Sequence, residues 1–264
     1  MRLLTLNTHS YIEDYQMEKL DTLIEAIIMH DYDVIALQEV NQRLDALVLN
    51  NGPIKRDNFC HVLVKKLQAR GADYSYYWAK AHIGYDIYEE GVALLTKHPV
   101  ITSETWPLTQ STDPLNWKTR VAVKMSIDYK GEVIDIVSTH HGFWNDDSEP
   151  SKHQFDRLFK HINNRITTFI LGDFNTDACV NDAGYDYLIT HGLHDTYRLA
   201  KVKDSGITVP GAIDGWKHID HHQRIDYIFV NKPLPVLHSR VIFNADNFPV
   251  VSDHFGVDVF IDFT

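Results

Sequence analysis

Apolar residues along this chain fall into short runs that end in polar, chemically capable side chains. Leu3-Leu4-Thr5-Leu6 runs into Asn7, Val34-Ile35-Ala36-Leu37 into Gln38-Glu39, and Thr168-Phe169-Ile170-Leu171 into Gly172-Asp173-Phe174-Asn175. The run from Val133 to Thr139 meets His140-His141. Val250-Val251-Ser252 leads to Asp253-His254, just ahead of the apolar stretch from Val257 to Ile261. Arg224-Ile225-Asp226-Tyr227-Ile228-Phe229-Val230 puts an acid at the start of a run. Short apolar runs bounded by turn residues read as buried strands. The pattern predicts strands over 2–7, 33–38, 91–96, 119–127, 133–139, 167–172, 225–230, 236–243 and 256–262.

Helical spacing appears between them. Leu20, Leu23, Ile24, Ile27 and Ile28 follow an i, i+3, i+4, i+7, i+8 set. A second helix is predicted from Asn58 to Arg70, with Phe59, Val62, Leu63 and Leu67 on one face. A third runs from Ser151 to Asn163, opened by Pro150, and a short one spans Asn181 to His191. Strands dominate and helices interrupt them, which predicts an α/β chain with two sheets packed face to face and helices outside. The spans 73–90, 105–118, 142–150 and 201–223 lack a clear period and are rich in Tyr, Trp, His and Gly. They read as loops around the mouth of a site, where specificity is carried.

Composition narrows the picture. A chain of 264 residues fits one or two domains. The strand-end groups come from both ends of the chain and no linker divides it, so a single domain over 1–264 is expected. A net charge of −11 argues against general attraction to long DNA, which favours a basic face. Lys65, Lys66 and Arg70 read as a solvated helix face. The two cysteines, Cys60 and Cys179, make no disulfide framework. No secretory h-region opens the chain and no apolar run approaches ~18 residues. A cytoplasmic protein without membrane insertion is expected, and no protein partner is implied. His218, His221 and His222 fit no zinc pattern with cysteines and read as a loop near the substrate.

The ordered set LNTHS, QEV, EGVALLTKHPV, STHHG, LGDFN, RIDYIFV and SDHFGV resembles the endonuclease/exonuclease/phosphatase superfamily. That superfamily includes pancreatic-type deoxyribonuclease, abasic-site endonucleases, neutral sphingomyelinases and inositol-polyphosphate phosphatases. The resemblance spans Asn7 to His254, and GDFN with a downstream SDH is its specific part. It implies a four-layer α/β sandwich of two mixed β-sheets packed face to face with helices outside. It also implies a hydrolase: a phosphoesterase that uses Mg²⁺, with Mn²⁺ as the alternative.

Site roles follow from the resemblance. Glu39 matches the main metal ligand, a hard oxygen donor suited to Mg²⁺. Asn7 supports it, and Asp253 reaches the metal directly or through water. Asp226 and His254 match a pair in which the acid orients the imidazole. His140 is expected to pair with Glu90. One histidine takes a proton from water and the other protonates the leaving oxygen; His254 is read as the water-side group and His140 as the acid. Asp173 and Asn175 hold the attacking water and a phosphoryl oxygen. His141 competes with His140, and Glu89 with Glu90, because adjacent strand residues face opposite sides. The Thr-His and Glu-Gly junctions favour His140 and Glu90.

A histidine at 140 sets the chain apart from abasic-site endonucleases. Substrate contacts are expected from Arg120, Trp144 and His82, and rings at the mouth from Tyr76, Tyr77, Trp78, Phe143 and Trp216. Arg120 reads equally as a structural ion pair, and the rings equally as core. The leading reading is a phosphodiesterase or phosphatase for a small or lipid-headgroup phosphoester. The alternative is a nuclease acting on nucleic acid. A non-catalytic binding module on the same fold is the different class; the filled core positions argue against it.

Overall fold

In the computed structural model, which describes residues 1–180, 183–211 and 220–263, the period-two alternation of the first strand sets out the layering. Within β1 (Arg2–Asn7), Leu3 points into one apolar cluster and Leu4 into another. The cluster around Leu3 also holds Val34, Ala36, Val123, Ile136, Phe169 and Leu171, so it lies between two sheets. The cluster around Leu4 packs Ile35 and Leu37 against Leu20, Leu23, Ile24 and Ile27 of α1 (Gln16–His30) and Leu63 and Leu67 of α2 (Phe59–Ala69). A third cluster packs Val137, Ile170 and Phe229 against Phe155 and Leu158 of α3 (Ser151–Lys160) and Leu188 of α4 (Ala183–Thr190). The result is four layers, helix–sheet–sheet–helix.

The remaining strands are β2 (Val34–Arg43), β3 (Ser75–Gly84), β4 (Tyr88–Thr96), β5 (Val100–Pro107), β6 (Val121–Tyr129), β7 (Glu132–His140), β8 (Thr167–Asp173), β9 (His194–Asp195), β10 (Val202–Lys203), β11 (Asp226–Val230), β12 (Val236–Ile242) and β13 (Gly256–Ile261). A short α5 (Thr196–Leu199) follows β9. One sheet has the order β10-β12-β13-β1-β2-β4-β3, the other β5-β6-β7-β8-β11-β9. Both are mixed: β1–β2, β10–β12 and β7–β8 are parallel, the other pairs antiparallel. Each sheet therefore contains one parallel pair joined through a helix, β1-α1-β2 and β7-α3-β8. The registers place Asn7 beside Gln38 and His140 beside Asp173. The ends of β1, β7 and β8 meet the Gln38–Glu39 bulge of β2, which runs on to Arg43, at one edge of the sandwich, where α/β sheets expose their chemistry.

Each predicted strand and helix has its counterpart among the described residues, which exclude 181–182 at the start of the helix expected over 181–191, and the structure adds two long strands, β3 and β5, outside the expected runs. β3 occupies most of the span 73–90. It is the edge of its sheet, and seven of its ten residues are more than marginally exposed, so it shows no continuous apolar run. β5 is also an edge strand and is exposed along nearly its whole length. Edge strands carry such polar patterns because only one side is paired and covered. Both cysteines are free thiols. No described helix is long and apolar enough to cross a membrane.

Candidate active site

Local backbone features aim the strand-end side chains into a shared cavity of about 400 Å³. Gly172 precedes Asp173 because β8 runs tight against β7 there: a Cβ on Gly172 would lie 1.9 Å from the Thr139 carbonyl oxygen. β2 slips register between Leu37 and Val40, and within that bulge Glu39 has φ 52°. His9 (φ 45°) and Asn175 (φ 49°) also occupy the left-handed region. Non-glycine residues rarely do so, and such strain gathers at functional sites.

Asn7 joins the two sheets. Its Nδ2 donates to Glu39 Oε1 at 2.9 Å and to Asp173 Oδ2 at 3.1 Å, which uses both of its N–H groups. Asp173 Oδ1 accepts from the Asn175 backbone N–H at 2.9 Å. The Asn175 side chain donates to the His141 carbonyl at 2.8 Å and lies 3.3 Å from His140 Nε2. His254 Nδ1 bonds Asp226 Oδ2 at 2.9 Å, and its Nε2 lies 3.8 Å from Asp173 Oδ2. Ser252 Oγ donates to the Asn7 carbonyl at 2.7 Å, which ties the C-terminal segment carrying Asp253 and His254 to the end of β1.

The field in this cluster separates the titrating groups. Burial, then repulsion from Asp226, pushes the Asp173 carboxyl up to about 7. Burial and the Asp253 carboxylate raise Glu39. Burial pulls the His254 imidazole down, but Asp226 and Asp173 outweigh it and hold it well above its ordinary range. His140 is held well below its ordinary range by burial and by Arg120.

His82, Glu90 and Arg120 line the same cavity, along with Phe143 and the exposed rings of Tyr85 and Trp117. Here the structure corrects the pairing read from the sequence. Glu90 Oε1 faces His82 Nε2 at 3.3 Å, whereas His140 Nε2 faces Asp173 Oδ2 at 3.5 Å. The register of β3 against β4 sets His82 opposite Glu90 and produces the exchange. Trp144 is also corrected: it packs on Phe155 and Tyr187 over α3 and α4, and Phe143 lines the cavity in its place. Trp78 is core, its Nε1 bonded to the Val40 carbonyl at 2.9 Å. Tyr76 bonds His61 against α2, and Tyr77 packs between the sheets. His141 faces away from the cavity, between Phe155 and Phe174. His221 pairs with Asp177 and His222 with the Pro210 carbonyl; His218 and Trp216 lie outside the described residues.

Sequence reasoning missed His9, Glu13, Tyr85 and Trp117. The signal for His9 was its position two residues past Asn7. His9 Nδ1 bonds Glu13 Oε1 at 2.8 Å and lies 3.8 Å from Asp253 Oδ1, and Glu13 also pairs with Lys19. Burial opposes the His9 charge, but the Glu13 hydrogen bond and Asp253 raise the imidazole from 6.5 to about 9. A raised base stabilises the fold fully below the unfolded value and loses that stabilisation as pH rises through the folded one. In chelator, wild-type melting temperature is expected to fall between pH 6.5 and about 9 more steeply than that of His9→Ala. Parallel melting curves across this window would exclude the charged form.

Two described groups bring carboxylate and imidazole ligand atoms within 4.8 Å of one another: His9, Glu13 and Asp253, and Asp173, Asp226 and His254. Glu39 and Asp253 add mutually repelling carboxylates on the cavity wall. Mutual repulsion and an oxygen-rich donor set fit a hard divalent cation.

Residues 4–254 match the endonuclease/exonuclease/phosphatase family. A solved structure of an endonuclease/exonuclease/phosphatase family protein from Leptotrichia buccalis is 39% identical, covers 100% of both chains and superposes with a TM-score of 0.93. A mannosyl-6-phosphatase of Bacteroides thetaiotaomicron is 18% identical over 100% of both chains, with a TM-score of 0.71. TDP2 of D. rerio, solved with single-strand DNA product, is 15% identical over 100% of this chain and 99% of its own, with a TM-score of 0.68. The last two likenesses show the fold alone. No curated protein sequence matches the chain significantly.

Proposed function

This chain belongs to the endonuclease/exonuclease/phosphatase family, and on that footing we propose that it is a divalent-metal-dependent phosphoesterase acting on a compact phosphoester. One observation carries the reading: Asn7 hydrogen-bonds Glu39 and Asp173 at once, behind a cavity wall that Glu39, Asp173 and His254 line, with Asp226 holding His254. Phosphoester hydrolysis needs an activated water and positive charge on the phosphoryl and leaving oxygens.

Mg²⁺ or Mn²⁺ held by Glu39 and Asp253, with Asn7 fixing Glu39, would supply Lewis-acid charge to the oxygens of the phosphoryl group. Asp173, pushed up to about 7, has a proton affinity matched to taking a proton from water near neutral pH. The His254 imidazolium, oriented by Asp226, donates to a phosphoryl oxygen. In-line displacement puts attacking and leaving oxygens on opposite sides of phosphorus, and His254 Nε2 is 3.8 Å from Asp173 Oδ2. His254 is therefore on the side of the attacking water, but as a proton donor rather than the base read from the sequence. His140 is held by Asn175 beside Asp173, and the leaving oxygen departs on the charge that the metal would supply, taking its proton from solvent. Arg120 adds charge toward the phosphoryl group.

The solved neighbours leave both a phosphorylated carbohydrate and a nucleic acid compatible with the fold. Cavity size and a net charge of −11 favour the compact substrate. With Mg²⁺ at moderate salt, kcat/KM for the best small phosphoester is expected to exceed that for duplex or single-stranded DNA. Efficient DNA cleavage with no small-substrate turnover would establish the nuclease reading instead.

A further inference from the structure

Resting on the phosphoesterase reading, we propose that Thr208 is a positioning residue, which fixes Asp226 and His254 relative to each other from outside the cavity. The two members of this pair come from different sheets: Asp226 opens β11, and His254 stands just ahead of β13. The bond from His254 Nδ1 to Asp226 Oδ2 at 2.9 Å joins them directly. Asp226 Oδ1 is buried without a hydrogen-bond partner among the described residues. Beyond His254, the carboxylate therefore depends on its backbone for its direction.

That backbone needs a partner which the sheet does not give. In the antiparallel pair β8–β11, Asp226 sits opposite Asp173, and the Phe174 N–H donates to the Ile225 carbonyl at 2.9 Å. Hydrogen-bonded and non-hydrogen-bonded pairs alternate, so the Asp226 N–H faces away from β8. β9, on that other side, pairs only with Phe229 and Val230. Thr208 fills the place. Its Oγ1 accepts from the Ile225 N–H at 3.2 Å and from the Asp226 N–H at 3.3 Å. Its carbonyl accepts from the N–H of Phe255, the residue after His254, at 2.7 Å. Its own N–H donates to the Gln223 carbonyl at 2.9 Å. One fully buried residue thus holds the backbone beside both members of the pair. The segment that carries it is seated in turn. A Cβ on Gly206, φ 71°, would stand 2.7 Å from the Tyr197 ring and 3.0 Å from Arg224 Cδ, and Arg224 is ion-paired with Asp195 at 2.8 Å. Thr208 belongs to the span 201–223, expected from the sequence to surround the mouth of the site, yet it is not among the residues that line the cavity. Its effect on the reaction therefore runs through Asp226 and His254 rather than through the substrate.

The test is turnover of 4-nitrophenyl phosphate and its bis ester in Mg²⁺ or Mn²⁺, with kcat and KM separated. Thr208→Val keeps the shape and removes the acceptor, whereas Thr208→Ser keeps the acceptor and removes the methyl group. Thr208→Val should lower kcat by about tenfold, because small misplacements of reacting groups cost rate steeply, while KM stays within about twofold. Thr208→Ser should stay within about threefold of the wild-type kcat. In the His254→Ala background, Thr208→Val should change kcat by less than about twofold, since residues acting through one network are not additive. A full tenfold loss in that background, or Thr208→Ser as slow as Thr208→Val, would overturn the proposal and leave Thr208 a part of the fold alone. Should Thr208→Val not fold, Thr208→Cys, a poorer acceptor of similar size, replaces it, and failure of both to fold would overturn the proposal as well. A wild-type kcat in Thr208→Val would overturn it and leave the phosphoesterase reading standing. No turnover by the wild type with either metal would overturn both.

Discussion

His254→Ala is expected to lower kcat by at least about 10²-fold with little change in KM, the scale of a positioned proton-transfer group. His254 is buried, carries its charge through Asp226 at 2.9 Å, and points Nε2 toward Asp173. Removing it takes away both the donor to the phosphoryl oxygen and a positive neighbour of Asp173. Asp226→Asn keeps the ring but removes its charge partner, and also relieves the repulsion that raises Asp173. Asp226 raises the imidazole, so asparagine there should let it fall back toward its ordinary range. The variant should then lose rate with rising pH earlier than the wild type does. A pH profile identical to wild type, with a large loss of melting temperature, would make Asp226 a structural acid instead.

Glu39→Gln should weaken Mg²⁺ or Mn²⁺ binding by at least about tenfold in titration calorimetry, since even residues behind the ligands are worth 10–100-fold. Burial and Asp253 make the Glu39 carboxylate a group that gains from a cation beside it. Asn7→Ala should weaken the metal less directly, by freeing Glu39 from its hydrogen bond at 2.9 Å. Unchanged affinity in Glu39→Gln would move the ion to His9, Glu13 and Asp253 or to Asp173, Asp226 and His254.

The strand ends were legible because burial demands apolar runs, and a run that stops at Asn, Glu, His or Asp marks where strand meets cavity. Asn7, His140 and Asp173 close their strands in this way; His140 and Asp173 line the cavity with Glu39 and His254, and Asn7 holds Glu39 and Asp173 from behind. The direction of a ring was not legible. Trp144 and Phe143 are neighbours, and only the packing of Trp144 on Tyr187 decides which of them faces the site. The partner of Glu90 was hidden for a related reason: β3 is a half-exposed edge strand, so its pairing, and with it His82, left no apolar signature. His9 was overlooked because a left-handed backbone, not strand periodicity, turns it inward.

The central claim is that a divalent cation bound at Glu39 drives phosphoester hydrolysis. The most direct measurement is turnover of 4-nitrophenyl phosphate and its bis ester by chelator-treated protein, followed by stepwise addition of Mg²⁺ or Mn²⁺. The account predicts no turnover in chelator, saturable recovery with metal, and recovery in Glu39→Gln only at much higher metal concentration. Full activity in excess chelator, with Glu39→Gln indistinguishable from wild type, would contradict it.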